Sequence, residues 1–295
     1  MTETLNELPL TDAVLATLVA IGLPAPSPGS PLYRTTWPEP DHRQLAIGRL
    51  FLAGCGMLES DEATPTEGGE RLWLALEALC EPAEQVLVVK AQPGSVEVRT
   101  LLAIADEVIA PLHLMRGGMT VGAAMSRDEL MPLLTKAWSA EAVDRAPVLM
   151  PSAAFEILTR VWARAGHDVR AAVDLATLGA DEAAAIREVL PQLEALDLVT
   201  VVGDTLALRQ ELKRPLRSLW QGPRLEVRSM PLPGDTELGL SEDQLPHVIV
   251  VGEEGRRYCV LTSRSPGGAW VAEGSVAFVP LTTELLREQL DVVVP

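Results

Sequence analysis

The apolar positions of this chain fall into two runs that repeat each other. Leu72, Leu76 and Leu79 recur at the spacing of one buried helix face, and Leu212, Leu216 and Leu219 recur in the same way 140 positions later. Both helices are predicted to stop alike. Glu81-Pro82-Ala83 ends the first and Gln221-Gly222-Pro223 ends the second, because proline has no amide hydrogen to donate and glycine turns freely. A strand follows each stop. Residues 86–89 are apolar on both faces, as in a central strand, whereas Leu225, Val227 and Ser229 alternate with Arg224, Glu226 and Arg228, as in a strand with one face in water.

The pattern extends outward from these two helices. Thr11-Asp12 is a good N-cap for a helix carrying Val14, Leu15, Leu18 and Ile21 and ending at Gly22. Its counterpart starts at residues 148–152 and carries Phe155, Ile157, Leu158 and Val161; Thr11 and Ser152 are 141 apart. The helix-like segment 45–58 matches 186–199 at the same offset, with Leu52 on Leu193 and Leu58 on Val199. Residues 24–40 are proline-rich and read as an extended linker pinned by Tyr33 and Trp37. Residues 59–69 form a polar insertion, where the second half has a predicted hairpin at 199–208. Further strands are predicted at 96–105, 108–114 and 119–125, and at 248–251, 258–262, 270–272 and 276–279. Tight turns between them imply antiparallel pairing.

Each set closes with a capped helix. Ser126-Arg127-Asp128-Glu129 is a capping box before Leu130, Leu133 and Leu134, and Thr282-Thr283-Glu284 precedes Leu285, Leu286 and Leu290. These ends are 156 apart, so the second half has gained residues inside its sheet. The predicted fold is α+β: an internally duplicated pseudo-twofold unit with an antiparallel sheet and flanking helices. Its repeats, 1–145 and 146–295, share one core.

Composition agrees with a packed protein: 47% of residues are hydrophobic and 22% charged. The net charge of −17 is shared between the halves, so a duplex phosphate backbone or an anionic membrane would be repelled over most of the surface. The uncharged stretch 13–33 is broken by Pro24, Pro26, Pro28 and Pro31, and no apolar run is long enough to span a bilayer. The three dispersed cysteines, Cys55, Cys80 and Cys259, fit neither a disulfide framework nor a CxxC site. A cytoplasmic location is expected.

Candidate chemistry is sparse. His42, His113, His167 and His247 lie in separate segments without HxxH or HExxH spacing, so no metal site is expected. Gly117-Gly118 and Gly267-Gly268 lack the residues of a phosphate loop and read as turns. Cys55 sits between glycines but has no positive partner in sequence to activate it. The carboxylates Glu59, Asp61, Glu62, Glu67 and Glu70 are not spaced as a calcium loop and read as a solvated acidic segment. No catalytic residue and no cofactor is expected. One feature runs against the acidic background: Arg209, Lys213 and Arg217 share a helix face, with Arg214, Arg224 and Arg228 nearby, after a helix and turn resembling a winged helix. This gives an alternative function, a DNA-binding regulator using the helix at 209–217. The plainer account is a solvated or carboxylate-paired face, and the first half's equivalent helix carries Glu70, Arg71 and Glu77 instead.

The order of elements resembles the EspG family, cytosolic chaperones of type VII (ESX) secretion. The resemblance is carried by Leu10-Thr11-Asp12 and residues 148–152 as strand-to-helix starts, and by the stretch from Ala195-Leu196-Asp197-Leu198-Val199 through Gly203-Asp204 to Leu212, Leu216 and Leu219. The helix-Pro-strand joints at 79–86 and 219–227 complete it. It implies a pseudo-twofold α+β unit without catalytic residues that binds the exposed apolar tip of a secreted PE–PPE heterodimer, and it implies neither nucleic acid nor membrane as partner. The family's contact regions correspond here to the loop Gln92, Pro93, Gly94 and Ser95 and to the last helix, near Leu285, Leu286 and Leu290.

Overall fold

The structure is a computed structural model, whose described residues are 7–33, 41–59, 65–67, 69–138, 146–232, 245–253, 256–263, 265–266, 268 and 271–294. In the first half the chain runs β1 (Glu7–Leu10), α1 (Asp12–Ala20), α2 (His42–Gly54), α3 (Glu70–Cys80), β2 (Glu84–Ala91), β3 (Val98–Ala105), β4 (Val108–Met115), β5 (Gly118–Gly122) and α4 (Arg127–Lys136). The second half runs β6 (Val148–Pro151), α5 (Ser152–Arg164), β7 (Val173–Asp174), a 3-10 turn (Leu175–Thr177), α6 (Ala180–Ala195), β8 (Val199–Val202), β9 (Thr205–Leu208) and α7 (Gln210–Gln221). It continues through β10 (Arg224–Met230), β11 (His247–Val251), β12 (Tyr258–Thr262), β13 (Ser275–Pro280) and α8 (Thr283–Val293). The class is α+β.

Ten described strands form one antiparallel sheet in the order β1-β5-β4-β3-β2-β10-β11-β12-β13-β6. The strands of each half thus occupy one side of the sheet, and in each half the first strand lies at the outer edge. The halves meet where β2 pairs with β10, from Arg224 opposite Ala91 to Met230 opposite Gln85. Alternation along each strand divides the side chains between two faces. On one face Leu72, Leu76 and Leu79 of α3 pack over Leu87, Val89, Leu101 and Leu112, and Leu212 and Leu216 of α7 pack in the cluster with Val251, Val260 and Phe278. The opposite face carries a single cluster from both halves: Val86, Val88 and Leu102 with Leu225, Val227 and Val250, under Leu130 and Leu134 of α4 and Leu286 and Leu290 of α8.

The helix ends follow local chemistry. Thr11 accepts from the Val14 amide to cap α1, and Ser126 and Glu129 form the predicted capping box of α4. Hydrogen bonds from the Ser126 amide and then from Arg71 hold the Glu129 carboxyl below its usual range. Thr282 caps α8 by accepting from the Leu285 amide. Ser152, in contrast, is the first residue of α5 and makes no capping bond. The hairpin β8–β9 is as predicted, and the insertion in the first half keeps one trace of a strand pair, an antiparallel bridge between Leu58 and Pro65.

Two readings of the linkers change. Tyr33 is exposed, and the proline-rich stretch is held instead by Leu32, which is buried, and by Ser30, whose hydroxyl donates to the Leu79 carbonyl at 2.6 Å. Trp37, Asp61, Glu62, Gly267 and Trp270 lie outside the described residues. The alternation on β10 does mark a polar face, yet the strand is central: Arg224 meets Glu97 at 3.4 Å and Glu226 at 3.9 Å. The connections of the second half are longer at two places: residues 231–246 join β10 to β11 where 92–97 join β2 to β3, and residues 263–274 join β12 to β13, where Val271 joins the cluster shared by both halves. The matching β4–β5 connection is a two-residue turn.

Candidate functional site

Residues 92–95 form the turn between β2 and β3. Pro93 has the fixed φ that the second position of a type II turn needs, Gly94 takes φ +75° at the third, and the Ser95 amide donates to the Gln92 carbonyl at 3.0 Å. All four residues are exposed. Glu97 anchors the base of this hairpin by accepting from Arg99 at 2.6 Å and from Arg224 of the other half. Just inside the turn the exposed surface is apolar. Val96 and Val98 are 62% and 53% exposed, and Met115, at the end of the neighbouring strand β4, is 68% exposed.

A pocket of about 420 Å³ opens beside this end of the sheet. Val88, Leu102, Pro111, Leu130 and Leu134 give it apolar walls, and Leu133 of α4, 57% exposed, stands at it. Thr100 and His113 form a hydrogen bond of 2.9 Å among its polar groups. A second apolar stripe, Ile47, Leu50 and Phe51, is exposed on α2.

The last helix turns its leucine stripe toward the core. Leu286 and Leu290 are wholly buried in the shared cluster, and Leu285 packs partly buried against it. The three leucines are core residues because α8 covers the centre of the sheet and pairs with α4 through Arg127, which bonds Asp291 and the Val294 carbonyl. Sequence spacing alone could not separate these roles, since a stripe that covers a sheet and a stripe that covers a partner have the same period.

The basic residues are also rearranged. Arg209 pairs with Asp197 at 3.1 Å, Arg224 with Glu97, and Arg228 is also partnered. Lys213 and Arg217 instead line a cleft with Arg214, Arg170 and Arg256. The three-stranded sheet β7-β9-β8 with α5 and α6 does have winged-helix topology. However, α6, at the place of a recognition helix, carries Asp181, Glu182, Glu188 and Glu194 against one cation, Arg187. Phosphates would be repelled there.

No constellation for catalysis assembles among the described residues. The histidines stay apart, with His167 tilted against Trp220 at 5.2 Å between ring centroids, and no described group of His, Cys, Asp and Glu could hold a metal ion. Burial pushes the Cys80 and Cys259 thiols up to about 12. Cys55 is the C-cap of α2, as Leu196 is of α6. No described helix is long and apolar enough to cross a membrane.

No family model and no curated protein matches this chain. A solved structure does: the type VII secretion system chaperone EspG5 of Mycobacterium tuberculosis, in complex with a PE25–PPE41 dimer, aligns over 97% of this chain and 95% of its own at a TM-score of 0.54 and 11% identity. The fold is EspG-like. At that identity the likeness resides in the course of the backbone, and the resemblance noted in the loose helix-end motifs corresponds to a whole-chain match.

Proposed function

We propose that the protein is a non-enzymatic, cytoplasmic chaperone of the type VII secretion kind, which binds a secreted PE–PPE-like heterodimer and shields its apolar tip before export. The observation that carries this reading is the exposed apolar end of the sheet at Val96, Val98 and Met115, beside a pocket able to take an apolar anchor side chain. It adjoins the Gln92–Pro93–Gly94–Ser95 turn. EspG5, which shares the fold, was solved with such a dimer. The acidic surface fits the role, since charge keeps the chaperone dispersed while one apolar patch engages the partner.

The test is reconstitution of a complex with a PE–PPE-like pair taken from the same cells, followed by size-exclusion chromatography. A stable ternary complex that is lost in Val98→Asp/Met115→Asp, and kept in Leu50→Asp, supports both function and site. Loss in Leu50→Asp alone would move the site to the α2 stripe. Failure of any such pair to bind the wild-type protein would overturn the function.

A further inference from the structure

We propose that the cleft along α7 is a second binding site, which takes an acidic protein segment carrying several closely spaced carboxylates. The cleft is about 510 Å³ and is lined by Arg170, Lys213, Arg214, Arg217 and Arg256, with Glu253 as the acid among the described lining residues. Three separate segments supply these cations: α7 gives Lys213, Arg214 and Arg217, and folding adds Arg170 and Arg256 to them. None of the five side chains has an ion pair among the described residues. In a chain with 41 carboxylates and 24 lysines and arginines, six described arginines, Arg71, Arg99, Arg127, Arg164, Arg209 and Arg224, pair with acids, and in the cleft five cations without such a pair line one cavity. Five unpaired cations around one cavity repel one another, and an anion that binds among them relieves that repulsion.

The frame is fixed. Gln221 donates to the His167 carbonyl at 3.0 Å and ties α7 to the turn bearing Arg170. Ser218 donates to the Arg256 carbonyl at 3.2 Å, and the Gly252 amide donates to the Pro223 carbonyl at 2.9 Å, which ties α7 to the β11–β12 turn. The floor admits no side chain, because a Cβ on Gly222 would lie 2.4 Å from the Ser218 carbonyl oxygen and one on Gly252 2.3 Å from that of Arg256. The cations are therefore presented on a rigid base.

The shape of the charge selects the ligand. Lys213 and Arg217 are one helical turn apart, about 6 Å along the axis, which matches carboxylates four residues apart on a helix or two apart on an extended chain. Arginine forks hold carboxylates in two-pronged fashion. No described aromatic residue lines the cleft to stack a base. The site lies on the other face of the sheet from the α4 pocket and in the other half of the chain, so it stands whether or not the proposed chaperone role holds.

The test is fluorescence anisotropy of a labelled glutamate-rich peptide of roughly a dozen residues titrated with the intact protein at low salt. Saturable one-to-one binding is expected, weakened by at least ~10-fold in Arg214→Glu/Arg217→Glu. The pair Arg49→Glu/Arg187→Glu makes the same change of net charge away from the cleft and should shift affinity by no more than about twofold. Hydrogen exchange should show protection of residues 210–221 when the peptide is bound. Absence of peptide binding, or equal weakening by both double variants, would overturn the site. Tighter binding of inorganic tripolyphosphate or of a DNA duplex through the same arginines would overturn the peptide assignment.

Discussion

Gln289 is a polar side chain that the core holds at a cost. It is wholly buried on α8, and neither its amide nitrogen nor its amide oxygen has a hydrogen-bond partner. An unsatisfied buried polar group costs about 1–3 kcal/mol, so Gln289→Leu, similar in volume, should raise the urea midpoint by a stability gain within that range. The cysteines differ in the same local way. Cys80 and Cys259 are buried and held neutral, whereas Cys55 is partly exposed, so iodoacetamide near neutral pH should label Cys55 alone until the protein unfolds. The raised thiols also set an alkaline limit. Their folded pKa of about 12 lies above the ordinary 9.0, so the unfolded chain releases these protons first. Their contribution is complete below pH 9 and is lost as pH rises from 9 toward 12. A chemical-denaturation series across that range should show stability falling.

Among the elements, α1 and α2 cross at closest approach over Gly48. A Cβ there would lie 2.0 Å from Thr17 Oγ1, and Thr17 is fully buried and bonded to the Ala13 carbonyl. Gly48→Ala would improve helix propensity by about 1 kcal/mol but force the helices apart. The clash should win, with a net loss of about 1–3 kcal/mol on denaturation. For α8 the test is truncation. With Leu286 and Leu290 wholly buried, Leu290→Ala should destabilise the protein by about 2–5 kcal/mol before any effect on a partner is seen. Sequence could place this helix and its cap, yet not its use, because the period of a buried stripe carries no label for what buries it.

At the scale of the molecule, the cluster built by β2, β3, β10 to β13, α4 and α8 joins the two halves, and β2 and β10 share a continuous ladder. Neither half can open without exposing apolar residues of the other. Tryptophan fluorescence, far-UV circular dichroism and the exposure of Cys80 and Cys259 should therefore report one coincident unfolding transition. Separate transitions for the first and second halves would contradict a shared core.

Sequence by itself determined what depends on near neighbours. The leucine triplets, the proline and glycine stops, the capping box at Ser126 and the turn at 92–95 rest on spacings of a few residues, and the structure has each of them. The class and the likeness to EspG chaperones followed from their order. Tertiary structure decided what depends on distant neighbours. It buried Leu286 and Leu290 under the sheet and left Val98 and Met115 open. It paired Arg209 with Asp197 while gathering Arg170, Lys213, Arg214, Arg217 and Arg256 into one cleft. Exposure and charge pairing are properties of three-dimensional proximity, and a linear pattern records the capacity of a side chain for contact without recording which contact satisfies it.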